Sequence, residues 1–551
     1  MNQRNYWVVS PNVKNNEEEN DWKKFLSTNP YSFIGWGEDN RLGNTFINLI
    51  KKGDIIINAQ RKNWIPNVFG IGIVKRDECD LRKNENTPSE AYCRQLHPYI
   101  SKERIEKIDL DFAGTTCYGE NKRIPAIYKL HPERNNKDEK LVTLIENELE
   151  MIKKEENTQK LVDLLESSKN IILQGAPGTG KTYRTAEIAL GIINKLPSNI
   201  DDRNAIMAAY KQAIKGGQIA FTTFHQSMDY EEFIEGLKPY TNDKDELSYR
   251  VEEGIFKKIC EKARQKGNIE KLNEAIEAFK EVCLENTQLD LKTSTDIPFS
   301  VSFRNGRTFR VRSTRSKADE GVDFPANIEH IRKVYMGETK GVYNHSYVKG
   351  ILNYLKNTYN IEEYNKNSKD KNYVLIIDEI NRGNISKIFG ELITLLEADK
   401  RIGEQNEILV RLTYSPDEEF GVPSNLYIIG TMNTTDRSLG YIDYAVRRRF
   451  AFETLKSDRE VIRKYYNEPS LLDNALSLFD KIEAIMKNNI NETDFDVEDV
   501  MIGHSYFLAK NAVELKMKLD FEIKPLLLEY VKDGILMIPK KEAKELIDQL
   551  E

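Results

Sequence analysis

Cysteine, tryptophan, excess positive charge and long apolar runs are all scarce in this 551-residue chain. The 5 cysteines, at positions 79, 93, 117, 260 and 283, form no Cys-x-x-Cys pair and leave an odd count. Neither a disulfide scaffold nor a zinc ribbon is expected, and a reducing cytoplasm is the expected setting. Lysine and arginine number 81 against 88 aspartates and glutamates, a net charge of −7. That balance excludes a globally basic nucleic-acid coat and leaves room for a local basic patch. No stretch approaches the roughly 18 uninterrupted apolar residues of a membrane helix, so no membrane partner is expected. The start, Met1-Asn2-Gln3-Arg4-Asn5-Tyr6, has no apolar signal region. No self-similarity recurs at a spacing of about 20–50 residues. What remains is 39% hydrophobic and 31% charged, a composition that builds buried cores. At this length about two to four domains are expected.

The 4 tryptophans (Trp7, Trp22, Trp36 and Trp64) all lie in the first 64 residues, which sets this region apart. It reads as β-rich. Tyr6–Val9 is a short apolar run, Asp54–Ala59 another, and Phe69–Val74 a third whose glycines permit a bulge. The module is expected to close near residue 130. Residues 131–139 are polar and read as a linker, and apolar spacing from Leu141 to Leu165 predicts a helix. From Asn170 the chain alternates apolar strands (170–174, 218–222, 373–377 and 426–429) with helical segments. That pattern predicts a parallel sheet covered on both faces. A long stretch at about 240–370, polar and helical in pattern, interrupts it and is too long for a plain loop. Beyond Phe452 the pattern is helical. The expected domains are therefore 1–130, a linker and helix at 131–165, an α/β core at 166–455 with its insertion, and a helical subdomain at 456–551.

The strongest chemical signal is Gly175-Ala176-Pro177-Gly178-Thr179-Gly180-Lys181-Thr182, which fits G-x-x-x-x-G-K-[ST] between a strand and a helix. Glycines let backbone N–H groups converge on a phosphate, and the next helix aims its positive end at the anion. Lys181 is placed to reach the β- and γ-phosphates, and the Thr182 hydroxyl to ligate Mg²⁺. An acidic strand end is needed as partner, and Val374–Glu379 supplies it. Asp378 would hold Mg²⁺ through its water shell, and Glu379 would orient or deprotonate the attacking water. The strand 426–430 runs into Thr431-Met432-Asn433-Thr434-Thr435-Asp436-Arg437. Asn433 is the candidate to hold the lytic water, against an Asx turn as the alternative. Arg447-Arg448-Arg449 either ends a solvated helix or supplies an arginine finger to a neighbouring subunit.

Taken together, GAPGTGKT, DEIN and MNTTDRS followed by RRRF resemble an AAA+ P-loop NTPase. More narrowly they resemble the McrB family, the GTPase subunits of modified-cytosine restriction systems. Phe221–Met228 with Tyr230–Gly236 is similar to that family's signature after the second strand, Asp378–Asn384 to its extended acidic motif, and Ile502–Phe507 to its C-terminal motif. The resemblance covers about 170–530. It implies GTP as substrate, a homo-hexamer with arginine fingers from Arg447, Arg448 or Arg449, translocation along DNA, and a separate McrC-like nuclease subunit. It also places Asp436 and Arg437 in the catalytic machinery beside Glu379 and Asn433. Guanine preference does not follow from the residues, since no Asn-Lys-x-Asp reader is present. Glu522-Ile523-Lys524 mimics the end of a nuclease motif without a suitably spaced aspartate, so cutting is assigned to the partner.

In the N-terminal region, Phe33–Gly37, Lys52–Ile55 and Gly70–Val74 look like a PUA-related EVE/YTH domain. This is a small β-barrel that receives a flipped modified base of DNA. An extruded base needs π-faces to stack on and polar groups to read its edge. Trp36 leads the candidates, with Trp22 and Trp64 behind it, and Asn44, Asp54 and Asn58 as edge readers; filling the barrel core is the alternative use of these tryptophans. In the insertion, Asn305-Gly306 between alternating runs predicts a hairpin with Arg310 and Arg312 on one face. That face either touches DNA phosphates or is simply solvated. Two other functions stay open: a MoxR-like AAA+ ATPase chaperone, and a modified-nucleic-acid binding protein with a regulatory NTPase.

Overall fold

A computed structural model of the chain describes residues 4–10, 24–34, 41–62, 65–82, 91–108, 110, 127–241, 247–264, 269–285, 289–293, 295–304, 306, 308–313, 323–364, 371–435 and 442–550. Trp22, Trp36, Trp64, Asp436 and Arg437 lie outside the described residues. Contacts divide the chain into two units, Met1–Leu161 with Pro197–Arg203, and Val162–Leu196 with Asn204–Glu551.

The first unit is built on strands β1 (Tyr6–Val9), β2 (Tyr31–Ile34), β3 (Ile55–Lys62), β4 (Ile65–Val74), β5 (Asp80–Arg82), β6 (Ala91–Ser101) and β7 (Ile127–Lys129). They form one sheet in the order β2-β6-β4-β3-β1-β7, with β5 paired to β6, and the sheet curls into a half-barrel consistent with a PUA-like domain. Strand alternation gives it two apolar faces. Val8, Ile55 and Ile57 pack with Leu141, Ile145, Leu149 and Ile152 of helix α1 (Asn136–Ser168). Val9 and Ile56 pack with Phe46, Ile50 and Leu96 on the other face. Helix α1 begins at Asn136, so the polar run expected as linker is helical in its second half. Register shifts fall between Asn58 and Ala59 and between Gly72 and Val74, where the glycine-rich strand bulges.

The second unit centres on a five-stranded parallel sheet. Its first strands are β8 (Asn170–Gly175) and β9 (Ile219–Thr223). The insertion that follows carries the expected helices and, in addition, strands. It opens with a two-stranded ribbon, β10 (Glu235–Thr241) and β11 (Leu247–Glu253). After helices α3 (Ile255–Arg264) and α4 (Glu270–Glu285) it forms an antiparallel sheet of β12 (Leu289–Lys292), β13 (Pro298–Ser302), β14 (Thr308–Ser313) and β15 (Phe324–Asn327). Helices α4, α5 (Ile328–Tyr335) and α6 (His345–Tyr359) share an apolar core with that sheet. Strands of four residues such as β12 and β15 carry too few alternations to stand out in sequence. Strands β13 and β14 pair as the hairpin predicts, with Arg310 and Arg312 exposed; Arg312 pairs with Asp323 at 2.9 Å.

The chain then returns to the parallel sheet with β16 (Tyr373–Asp378). A short ribbon, β17 (Val410–Arg411) and β18 (Glu419–Phe420), precedes β19 (Leu426–Asn433) and β20 (Ala451–Thr454). The parallel order is β20-β8-β19-β16-β9. Asn170 at the foot of β8 donates to the carbonyls of Leu396 and Arg449, each at 2.8 Å, and accepts from the fully buried Arg401 at 2.6 Å. From Arg459 the chain is helical, and α7 (Pro469–Asn489) and α8 (Lys524–Lys532) close a separate lid core around Phe479, Ile482, Phe507, Ile523 and Leu527.

Candidate nucleotide site

Strand β8 delivers the phosphate loop and helix α2 (Lys181–Ile192) receives it. Gly178 and Gly180 take φ of +80° and +83°, a left-handed backbone that favours glycine and turns the loop on itself. Lys181 is buried. Its Nζ donates to the carbonyls of Gly175 at 2.9 Å and Ala176 at 2.8 Å, holding the loop closed. Thr179 Oγ1 donates to the Ala176 carbonyl at 3.0 Å. Thr182 is the second residue of that helix, and its Oγ1 stands 3.4 Å from Asp378 Oδ1 at the end of β16.

The acidic pair is fixed from the neighbouring strand. Thr431 and Asn433 sit two apart on β19 and so share a face. Thr431 Oγ1 donates to Asp378 Oδ1 and accepts from the Glu379 N–H at 3.2 Å. Asn433 Nδ2 donates to Glu379 Oε1 at 3.0 Å, and Arg382 Nε to Glu379 Oε2 at 3.1 Å. Glu379 itself has φ of +52°. A non-glycine residue in that region costs about 1–3 kcal/mol and persists only where its surroundings hold it, as these three contacts do. Thr431 and Arg382 were not singled out in the sequence, although the two-residue period of a strand points to Thr431 once Asn433 is chosen.

Beside the acids lies a cleft of about 460 Å³ lined by Gln226, Asn381, Arg382, Asn384, Ser386 and Asp443. The segment before it is largely structural. Phe224, Met228 and Phe233 are core residues, and Asp229 caps the helical turn Tyr230–Phe233.

The arginine run divides. Arg447 and Arg448 are exposed, Arg447 over the Phe452 ring at 5.1 Å and Arg448 paired with Glu397 at 3.2 Å. Arg449 is 4% exposed and pairs with Glu397 at 2.9 Å. A finger must reach a neighbour, and of the three arginines only Arg447 and Arg448 are exposed.

The lid reaches the loop through Ile502–Phe507. The Gly503 N–H donates to the Pro177 carbonyl at 2.9 Å and the Ser505 N–H to the Gly178 carbonyl at 3.2 Å. Burial lowers the His504 imidazole pKa, with Asp458 opposing.

In the first unit, Asp54 is not available to read a base. Its buried carboxylate accepts from Asn5 N and Nδ2, Trp7 Nε1 and Lys51 N at 3.0–3.1 Å, which ties β1 to the turn before β3. Asn44 is exposed, and its side chain accepts from Asn48 at 2.6 Å. Asn58 is fully buried at the β3 bulge. Its amide donates to the Tyr31 carbonyl at 2.8 Å, while Oδ1 has no partner among the described residues.

The AAA domain family (dynein-related subfamily) matches residues 325–450, and the McrB α-helical lid domain matches 479–535. The chain is 26% identical over 360 residues to the type IV methyl-directed restriction enzyme EcoKMcrB subunit of Escherichia coli strain K12, covering 64% of this chain and 50% of that protein. It is 35% identical over 100 residues to the type II restriction enzyme BsuMI component YdiS of Bacillus subtilis strain 168, covering 16% of this chain and 28% of that protein. The chain thus spans half the length of the first relative and less of the second. Among the described residues no helix is long and apolar enough to cross a membrane.

Proposed function

Because the chain carries an AAA domain and an α-helical lid of the McrB family, we propose that it is the GTP-hydrolysing, DNA-reading subunit of a modification-dependent restriction complex. One observation carries the reading. Thr182 Oγ1 comes within 3.4 Å of Asp378 Oδ1, and Glu379 next to it is aligned by Asn433, so the phosphate cradle and the acids form one site.

The roles follow from the geometry. Residues 175–182 bind the phosphates, and Lys181 leaves its two loop carbonyls to meet them. A hydroxyl and a carboxylate at the mouth of the loop are hard oxygen donors that suit Mg²⁺, which takes one or two protein ligands plus phosphate and water. When bound, that ion neutralises charge on the β- and γ-phosphates. Glu379 accepts the proton of the attacking water, and Asn433 fixes the carboxylate's orientation. Arg447 or Arg448 reaches the nucleotide of the next copy in a homo-hexamer. Asp436 and Arg437 join the machinery on the strength of the motif alone.

The half-barrel is the reader of a modified base. Asn58 supplies an unsatisfied acceptor, and Trp36, Trp22 and Trp64 are the candidate stacking faces. Turnover drives movement along DNA, and a McrC-like nuclease partner makes the cut.

The test is hydrolysis of GTP and ATP by the full chain with Mg²⁺, with and without a McrC-like nuclease subunit. GTP turnover that rises with the partner and vanishes in Lys181→Ala is expected. Equal use of ATP, or no dependence on Lys181, overturns the reading.

A further inference from the structure

The lid turn 503–505 sits on the phosphate loop with no slack. Two backbone hydrogen bonds join Gly503 and Ser505 to Pro177 and Gly178. A β-carbon on Gly503 would overlap the Gly178 backbone, and one on Gly178 would lie 2.6 Å from Ser505 Oγ and 2.8 Å from the Tyr506 ring. Contact this close fixes where the side chain between them can go. The Asp458 N–H donates to His504 Nδ1 at 3.2 Å. A ring nitrogen that accepts carries no proton, so in the neutral ring the proton is on Nε2. Nε2 has no hydrogen-bond partner among the described residues. It lies 3.6 Å from the position of a β-carbon on Gly180, the residue that caps helix α2, whose first N–H groups are free of intrahelical partners and suited to an anion.

We propose that His504 is a nucleotide-contacting residue whose Nε2–H donates to an oxygen of the α/β-diphosphate held by the loop 175–182. The inference rests on the nucleotide site proposed above. Burial favours the neutral ring, so the group acts as a dipolar donor with a fixed tautomer. The lid then binds the nucleotide through the same turn that clamps the loop, and loss of the diphosphate removes one of the lid's contacts.

The test is equilibrium binding of fluorescent GDP and GTP analogues to the full chain, with kcat measured at saturating nucleotide. His504→Ala should weaken both nucleotides by about 10- to 100-fold, the usual range for a hydrogen bond to a charged group. His504→Gln, which keeps an N–H donor, should recover most of that loss, and kcat should change little. Unchanged affinity in His504→Ala overturns the proposal and leaves the nucleotide site standing. A loss confined to GTP or to kcat overturns it in favour of a γ-phosphate contact. A His504→Gln variant as weak as alanine, with a lowered melting temperature, overturns it in favour of a structural strut. If the unmodified chain and Lys181→Ala both fail to bind, the nucleotide reading falls and takes this inference with it.

Discussion

Arg382 closes on Glu379 at 3.1 Å while Asn433, one strand over, holds the same carboxylate at 3.0 Å. Both carboxylate oxygens are thereby engaged. A carboxylate gripped from two sides in a left-handed backbone is oriented but restrained, while each oxygen keeps a lone pair that can take a proton. Arg382 is the weaker hold, because its side chain is 45% exposed and pairs of that kind contribute only about 0.2–1 kcal/mol.

Arg382→Ala should therefore raise basal nucleotide turnover by about 1.5- to 5-fold, the rate equivalent of that weak pair. Steady-state hydrolysis by the full chain without partner checks it. A tenfold fall would instead make Arg382 a group the reaction needs.

Glu379→Gln keeps the side chain's shape and its contact with Thr431 through the backbone, and removes the base. Nucleotide affinity should stay near that of the unmodified chain while hydrolysis falls by about 10²–10⁴-fold. Binding and single-turnover measurements on the same protein separate the two. Turnover within a fewfold of normal would remove Glu379 from its assigned role.

Some of this site was open to reading in the sequence because chemistry leaves it little freedom. A loop that wraps phosphate needs Gly178 and Gly180, and an acid pair must end a buried strand, so both motifs stand out. What the sequence hid are contacts whose meaning depends on the fold. Arg401 looks like a surface charge, yet it lies fully buried between Asn170 and the carbonyls around β19. Asp54 looks like a reader of base edges, and it is saturated by four donors that fold the first unit. The four-residue strands β12 and β15 of the insertion fell below the length at which alternation is visible. Arg447–Arg449 form one motif in sequence, and only packing separates them.

That separation gives the next expectation. Arg449→Ala removes a buried side chain and its hydrogen bonds while Glu397 keeps Arg448 and Lys400, and should lower stability by about 1–3 kcal/mol. Arg447→Ala and Arg448→Ala should change stability by no more than about 0.5 kcal/mol, as exposed positions do, and lower hydrolysis in the assembled complex. Thermal unfolding together with turnover at concentrations above and below assembly tests both halves. A finger at Arg449 would show the opposite pattern, with stability unchanged and turnover lost.

The first unit offers a parallel contrast between two buried polar residues. Asp54→Ala strips acceptors from Asn5, Trp7 and Lys51 at once, and each of these half-buried or exposed hydrogen bonds contributes about 0.5–1.5 kcal/mol. This variant should destabilise the half-barrel and reduce DNA binding without regard to modification. Asn58→Ala removes one donated hydrogen bond, to Tyr31, and an acceptor that nothing in the described protein satisfies. Its stability cost should be about 1 kcal/mol. Its binding effect should fall on modified duplexes alone where the entering base uncovers the buried Oδ1, which has no partner among the described residues. Calorimetric unfolding of the full chain, paired with binding to matched modified and unmodified duplexes, tells the two variants apart. Equal loss of both duplexes in Asn58→Ala would mark Asn58 as part of the fold and move the reading of the base to other residues.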